Sequence, residues 1–461
     1  MINKLIRKIF GIGSNPRPIQ KPVTLSPQQH GIDPRLVSNS AVRVVRILQN
    51  AGYDAYIVGG AVRDLLLGLE PKDFDVATNA TPEQVRRLFR RAFLIGRRFQ
   101  IVHVLLGQDL IEVTTFRGSS TKPALKDEAG RLLRDNNFGT QEEDAARRDF
   151  TINAMYYNPA NQLLLDYHGG MDDLKNRTLK IIGDPEQRYR EDPVRMLRIV
   201  RFAAKLGFSI DQATCAPIAS LAPLINNVPS ARLFDEMLKL LMCGHAMSCL
   251  KELRTRGLHK GLLPLLDVAL EQPQAAHFIE IALGKTDQRI RQNKRISPGF
   301  LFAALLWTQV EEKWAQYRSD GEYPIPALVA AASDILDAQT EKLAIQRRIA
   351  SDMKDIWLMQ PRLERRTGKS PYRLLENERF RAAYDFLLIR CEAGELDPET
   401  GQWWTKFIDA SAEERQQMID EQMRLAPRTS SGRKRAKRSR RRHKTDAGPA
   451  TSLQTAENIH S

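Results

Sequence analysis

Asp73 and Asp75, in the stretch KDFDVAT, place two carboxylates two residues apart with Phe74 between them. In an extended chain residues i and i+2 share a face, so the two acids stand side by side while Phe74 turns inward. Adjacent carboxylates repel each other, and on its own such a pair is most often a solvated strand end. A divalent cation between them also relieves the repulsion, and all-oxygen ligation suits Mg²⁺. A third acid, Glu112, interrupts the strand-like run LIEVTTF on the face opposite Ile111 and Val113. That is costly unless something cationic meets it. Three carboxylates from two strands can hold two metal ions roughly 3.5–4 Å apart, one activating a hydroxyl and the other neutralising a triphosphate and its leaving group. The chemistry this spells is nucleotidyl transfer.

Phosphate-binding candidates lie on either side of that pair. In VGGAVRD, Gly59 and Gly60 let backbone N–H groups approach an anion at the start of a helix, and Arg63 adds a charged contact. In RRDFTIN, Arg147 and Arg148 are candidate phosphate clamps, and Asp149 and Asn153, four apart, share a face if the segment is helical. In EDPVRMLR, Asp192 reads as a helix N-cap with Pro193 at the first helical position, and Arg195 and Arg198 follow on one face. An aspartate acceptor beside an arginine donor complements adenine at N1/N6 and cytosine at N3/N4 alike. The pair alone does not choose between them.

These residues need a scaffold, and the periodicities supply one. SNSAVRVVRILQNAG predicts a helix, DAYIVGG a buried strand, AVRDLLLG a short helix, DFDVAT a strand, TPEQVRRLF the start of a helix, and QIVHVLLG and LIEVTTF two more strands. The result is a mixed α/β unit ending near residue 170. Beyond it strand signals nearly vanish, and stretches 231–257, 298–316 and 325–358 carry helical apolar spacing. Residues 14–34, with five prolines, read as a flexible lead-in, so ordered structure is expected from about Ser38. From Pro427 the sequence turns into PRTSSGRKRAKRSRRRHK, almost free of apolar residues, and predicts a disordered basic tail.

Composition narrows the partners. The 461 residues are 42% hydrophobic, enough for a real core, and 70 Lys+Arg against 55 Asp+Glu leave a formal charge of +15. A polyanion, nucleic acid first and anionic lipid second, is the expected partner. Four cysteines without a CxxC pair argue against a zinc site or a disulfide framework and fit a reducing cytosol. No apolar run reaches the roughly 18 residues of a membrane span. The start MINKLIRKIFGIG has no signal-peptide cleavage pattern and reads instead as a weak surface-binding turn. RTGKS at 366–370 fails as a phosphate loop because Leu363 stands where the earlier glycine is required. Trp403 and Trp404 read as helix-packing residues rather than a base-stacking platform.

IVGGAVRDLLLG with KDFDVAT resembles the head-domain signature of the polymerase-β-type nucleotidyltransferases, in the class that contains bacterial CCA-adding enzymes and bacterial poly(A) polymerases. RRDFTINAMYYNP, DYHGGMDDLKNRTLKIIGDP and REDPVRMLRIVRFAAKLGF extend the match in the same order over about residues 45–260. The resemblance implies Asp73, Asp75 and Glu112 as ligands of two Mg²⁺ ions, with Mn²⁺ as an alternative. It implies Asp149 as an active-site residue, and Asp192 and Arg195 as selectors of the base. It implies a head over 38–176, a helical neck over 177–260 and a helical body over 261–426, between a flexible segment 1–37 and a tail 427–461. LIGRRFQIVHVLLG, FGTQEEDAARRDFTIN and GKSPYRLLENERFRAAYDFLLIR are more similar to the poly(A)-adding branch. The expected reaction adds AMP from ATP to RNA 3′ ends with little sequence specificity, in the cytoplasm. RNA-decay enzymes, RNA chaperones and the membrane surface are conceivable further contacts. The alternatives are a CCA-adding enzyme and an RNA-binding protein with a vestigial head, against which the three intact carboxylates speak.

Overall fold

The computed structural model describes residues 21–96, 100–118, 137–259, 271–340 and 343–425. Eight short strands follow in chain order: β1 Val23–Leu25, β2 Ala55–Val58, β3 Asp75–Thr78, β4 Ala92–Ile95, β5 Ile101–Leu106, β6 Asp109–Thr115, β7 Met155–Asn158 and β8 Leu163–Asp166. They form one sheet in the order β1-β8-β7-β2-β3-β6-β5-β4. Only β3 and β6 run parallel. A parallel pair needs a crossover, and α3 (Pro82–Leu88) with the β4–β5 hairpin provides it.

Alternation decides which face each side chain takes. Ile57, Val76, Val102, Val104, Ile111 and Val113 are buried with Val44, Val45 and Leu48 of α1 (Asn39–Asn50), and with Val85 of α3. Both helices begin as the sequence predicts, at Ser38, whose hydroxyl accepts from Ala41 N at 3.3 Å, and at the Thr81 capping box. The opposite face is covered over Val58, Ala77 and Tyr156 by Phe116, Ala145 and Tyr167. Asp75 and Glu112 belong to that second face.

Three differences from expectation concern the head. Asp73 precedes β3, which begins at Asp75, although the alternation survives because Phe74 is buried and Asp73 exposed. The lead-in is structured from Val23: β1 pairs with β8, and His30 is buried with its Nε2 2.9 Å from Gln162 O. Prolines around a three-residue edge strand hide it from a periodicity reading. β4, β7 and β8, not foreseen as strands, complete the sheet.

After the head, β9 (Thr178–Leu179) and β10 (Ser209–Ile210) form a small parallel pair, and the rest is helical. The neck helices that matter below are α6 (Pro185–Glu191), α7 (Val194–Leu206), α8 (Ser230–Leu241) and α9 (Ala246–Thr255). The expected long helices occur with breaks: 231–257 divides around Gly244, at φ +86°, and 325–358 divides into Pro324–Thr340 and Arg347–Glu364. One apolar core runs from Phe150 and Ile152 of the head through α7 and α8 to Trp307, Trp357 and Phe386. A second holds Trp403, Trp404 and Phe407, and the Trp404 indole donates to Leu363 O at 2.8 Å. The two tryptophans therefore pack helices, as expected. The basic tail lies outside the described residues. Among the described residues no helix is long and apolar enough to cross a membrane, and the four cysteines form no disulfide.

Candidate active site

β2 delivers the chain to Gly59, whose φ of +72° and ψ of −135° are readily adopted only by glycine. From there α2 (Gly60–Leu66) departs. A Cβ on Gly59 would lie 3.6 Å from Arg148 Nη1 and 3.7 Å from Asp75 Oδ2, so the turn sits directly over a cation and a carboxylate. The turn lines a cavity of about 390 Å³ between head and neck. The head contributes Gly59, Gly60, Arg63, Asp75, Arg147, Arg148, Asp149 and Asn153 to its walls, and the neck contributes Asp192, Arg195 and Arg198. Asp73 and Glu112 are the two candidates outside it.

Asp75 joins the cavity to the other carboxylates. It lies opposite Glu112 in the β3–β6 register. Burial and the Glu112 carboxylate, with a smaller push from Asp73, raise its pKa to about 6 against the pull of Arg148. Glu112 Oε1 is 3.3 Å from His103 Nε2. The three acids do not converge on a point, and among the described residues no trio of acidic, His or Cys side chains meets as a cation site. The donor set nonetheless suits a hard divalent ion: it is all carboxylate, and Asp75 is a half-buried acid whose raised pKa a neighbouring cation would reverse.

Behind Asp75 the arginine block is locked into the fold. Arg148 Nη2 bonds Asp144 Oδ2 at 3.0 Å, and the Tyr156 hydroxyl donates to the same oxygen at 2.7 Å. Arg147 donates to Gly118 O. Arg63 is also held by the fold: it is buried, bonds Asn153 Oδ1 at 2.8 Å and grips Asp64 Oδ1 through Nε and Nη2. It braces α2 against the 151–153 turn while lining the cavity. Asp149 and Asn153 are not on one α-helical face, because the chain bends into a 3₁₀ turn at Thr151–Asn153, yet Asn153 Nδ2 still reaches Asp149 Oδ1 at 3.4 Å. Asp149 Oδ2 is 2.8 Å from Arg198 Nη2, an ion contact without hydrogen-bond alignment.

The neck side differs most from the reading of the sequence. Asp192 is no N-cap: α7 starts at Val194 with Pro193 in the cap position and no side-chain cap. Asp192 Oδ2 instead meets Arg232 Nη2 of α8 at 2.7 Å, and its buried Oδ1 has no partner. Nor do Asp192 and Arg195 present a ready-made edge to a base, since Arg195 Nη1 donates to Arg188 O at 2.8 Å and to Glu191 Oε2 at 3.3 Å. Arg188 in turn donates to Arg147 O at 2.8 Å and Arg148 O at 2.5 Å, tying α6 to the arginine block. Three further residues of α7 line the cavity: Arg201, Phe202 and Lys205. The sequence reading missed them, although they continue the face of Arg198 at i+3, i+4 and i+7. Arg201 and Arg63 stack on Phe202, at 4.5 and 5.2 Å from the ring centroid. Burial pushes the pKa of Arg201 and of Lys205 down. The cavity is thus cation-rich and desolvated, as a polyphosphate site requires.

A Bacillus stearothermophilus CCA-adding enzyme in complex with CTP shares this architecture at 26% identity and TM-score 0.53, over 83% of this chain and 82% of that one. A tRNA nucleotidyltransferase complexed with a primer tRNA and an incoming ATP analogue shares the fold at 21% identity and TM-score 0.52, over 83% and 99%. The fold is that of an RNA nucleotidyltransferase. Sequence matches narrow the class. Residues 55–180 match the poly A polymerase head domain, 207–270 a probable RNA and SrmB-binding site of polymerase A, and 320–444 the polymerase A arginine-rich C-terminus. Poly(A) polymerase I of Haemophilus influenzae is 45% identical over 428 residues, 90% of this chain and 94% of the relative. That of Escherichia coli O157:H7 is 46% identical over 435 residues, 90% and 93%. The chain belongs to the poly(A) polymerase family. A CCA-adding enzyme of Enterococcus faecalis matches at 38% over 204 residues, only 44% of this chain.

Proposed function

We propose that this chain adds AMP units from ATP to RNA 3′ ends without a template, with Asp73, Asp75 and Glu112 as ligands of Mg²⁺, or of Mn²⁺ in its place. The observation that carries the reading is Asp75, a carboxylate in the wall of the arginine-lined cavity and in register with Glu112 on the neighbouring strand. In this reading the RNA 3′-oxygen bonds to the α-phosphorus of ATP, the bond to the β-phosphate oxygen breaks, and pyrophosphate leaves. Bound Mg²⁺ supplies charge neutralisation and an acidified 3′-hydroxyl. Gly59 admits the phosphates close to the backbone. Arg147, Arg148 and Arg198 surround the triphosphate with positive charge, and Asp149 and Asn153 keep Arg198 and Arg63 aligned. Asp192, with one oxygen unpartnered, accepts from the amino group of adenine, while Arg195 turns from Glu191 toward the ring.

Neck residues 177–260 supply base selection, and body residues 261–426 with the basic tail hold RNA through its backbone, which is sequence-independent and salt-sensitive. Such a tail also suits contact with RNA-decay enzymes, RNA chaperones or an anionic membrane surface, and work in the cytoplasm. Incubation with a short generic RNA, Mg²⁺ and one nucleoside triphosphate at a time tests the reading. A long ladder with ATP alone is expected. Addition that stops after CCA on truncated tRNA assigns the chain to tRNA repair instead, and no addition with any nucleotide leaves an RNA-binding protein.

A further inference from the structure

The sheet face that carries Asp75 does not end at Glu112. Glu112 pairs with His103 on β5, and His103 with Phe93 on β4, so Asp75, Glu112, His103 and Phe93 form one row across four strands. Directly paired residues point to the same side of a sheet. Ile95 and Leu110 flank the row. Phe93 is 55% exposed, Leu110 48% and Ile95 42%, whereas Val102, Val104 and Val113 on the reverse side are at most 1% exposed. An antiparallel sheet edge ordinarily turns polar residues to water, and an open apolar patch marks a binding surface. Arg90 and Arg91, both exposed, lead into β4 and add the charge that a nucleic acid needs.

Its position indicates the occupant. The cavity with the arginines includes Asp75 but neither Asp73 nor Glu112, so the triphosphate side and the Glu112 side of Asp75 are distinct. In phosphoryl transfer the attacking and leaving oxygens lie roughly in line with phosphorus between them. With pyrophosphate leaving on the cavity side, the RNA 3′ end arrives from the Glu112 side, and the nucleotides behind it cross β5 and β4. We propose that this open face is a subsite for the last nucleotides of single-stranded RNA, with Phe93 stacking on a base. Two strand spacings put Phe93 about 10 Å from Glu112. At a stacked rise of about 3.4 Å, that is roughly three nucleotides upstream of the reacting end. Stacking accepts any base, which suits a substrate whose end is renewed with every addition.

The proposal rests on the reading of Asp73, Asp75 and Glu112 as the reaction centre, and the test separates the two. Phe93→Ala is expected to raise the KM for RNA between about fivefold and a hundredfold with the KM for ATP unchanged. The effect should vanish with a dinucleotide primer, too short to reach β4. Phe93→Leu, which keeps an aliphatic side chain on β4 without the ring, should behave like Phe93→Ala if stacking is what is lost. In Phe93→Trp, oligo(A) added without Mg²⁺ should quench the new tryptophan beyond the change seen in the wild-type protein, a readout independent of catalysis. An unchanged RNA KM in Phe93→Ala, or no added quenching in Phe93→Trp, overturns the proposal. So does a Phe93→Ala protein that keeps its RNA KM but loses self-association in sedimentation, since the face then joins two copies. If Asp75→Ala retains addition, the reaction-centre reading falls, while quenching in Phe93→Trp still reports on the face.

Discussion

Replacing Asp75 by Asn is expected to strengthen the metal-free fold while abolishing AMP transfer. The size of the effect follows from the pKa, raised from the ordinary 3.8 to about 6 by burial and by Glu112. A carboxyl whose folded pKa is raised favours the folded state while protonated. That contribution is complete below the unfolded pKa and is lost as pH rises through the folded one. A shift of about two units at 1.36 kcal/mol each costs the wild-type protein about 3 kcal/mol near pH 8 and roughly half of that near pH 5. The attraction of Arg148 already opposes the shift, and Asn forgoes it, so about 3 kcal/mol is the upper end. Urea unfolding in EDTA at the two pH values measures the difference between Asp75→Asn and wild type. Millimolar Mg²⁺ should then raise the wild-type midpoint and leave that of the mutant unmoved. Equal stability of the two proteins at pH 8, or equal Mg²⁺ responses, would refute the account of Asp75 as a strained carboxylate awaiting a cation.

Further expectations concern the neck, the turn and the tail. Arg232→Gln releases Asp192 Oδ2 from its 2.7 Å ion pair; kcat/KM for ATP should fall about tenfold, and discrimination against GTP and UTP should narrow in single-nucleotide kinetics, about 1.4 kcal/mol of positioning. Gly59→Ala forces a side chain to φ +72°, where the added Cβ meets only ordinary contacts; a loss of roughly 1–2 kcal/mol in thermal or urea unfolding is expected from backbone strain. Ending the chain after Leu425 removes the basic tail; RNA affinity should weaken, and its dependence on log salt should flatten in fluorescence anisotropy, with the KM for ATP unchanged.

The parts of this protein that local rules govern were legible in its sequence. The helix at Asn39–Asn50, the strands at Asp75–Thr78 and Asp109–Thr115, and most of the cavity lining stood in periodicity, capping and charge. What escaped depended on partners distant in the chain. β1 is three residues long and is a strand only because β8 lies beside it. Asp192 satisfied every local criterion for an N-cap, but a residue from α8, forty positions on, captured its carboxylate. Arg63 was legible as a residue of the site, but nothing nearby in the sequence announces Asn153 as its partner. Phe202 and Lys205 were hidden by the opposite problem: on an amphipathic helix an aromatic and a lysine attract no notice until the cavity beside them is known.

Phe150 and Ile152 have a consequence for how the molecule is made. They belong by sequence to the head, yet they are fully buried in the core of the neck and body, and Phe150 bridges to Ile181 beyond the expected head boundary. A chain ended at residue 176 would carry the sheet and all three carboxylates but leave both side chains without their packing. It should therefore emerge from the ribosome unable to finish folding, and the catalytic residues should gain their protection from hydrogen exchange only once α7 and α8 have been synthesised. The packing thus predicts that the chemical division into head and neck is not a division into folding units.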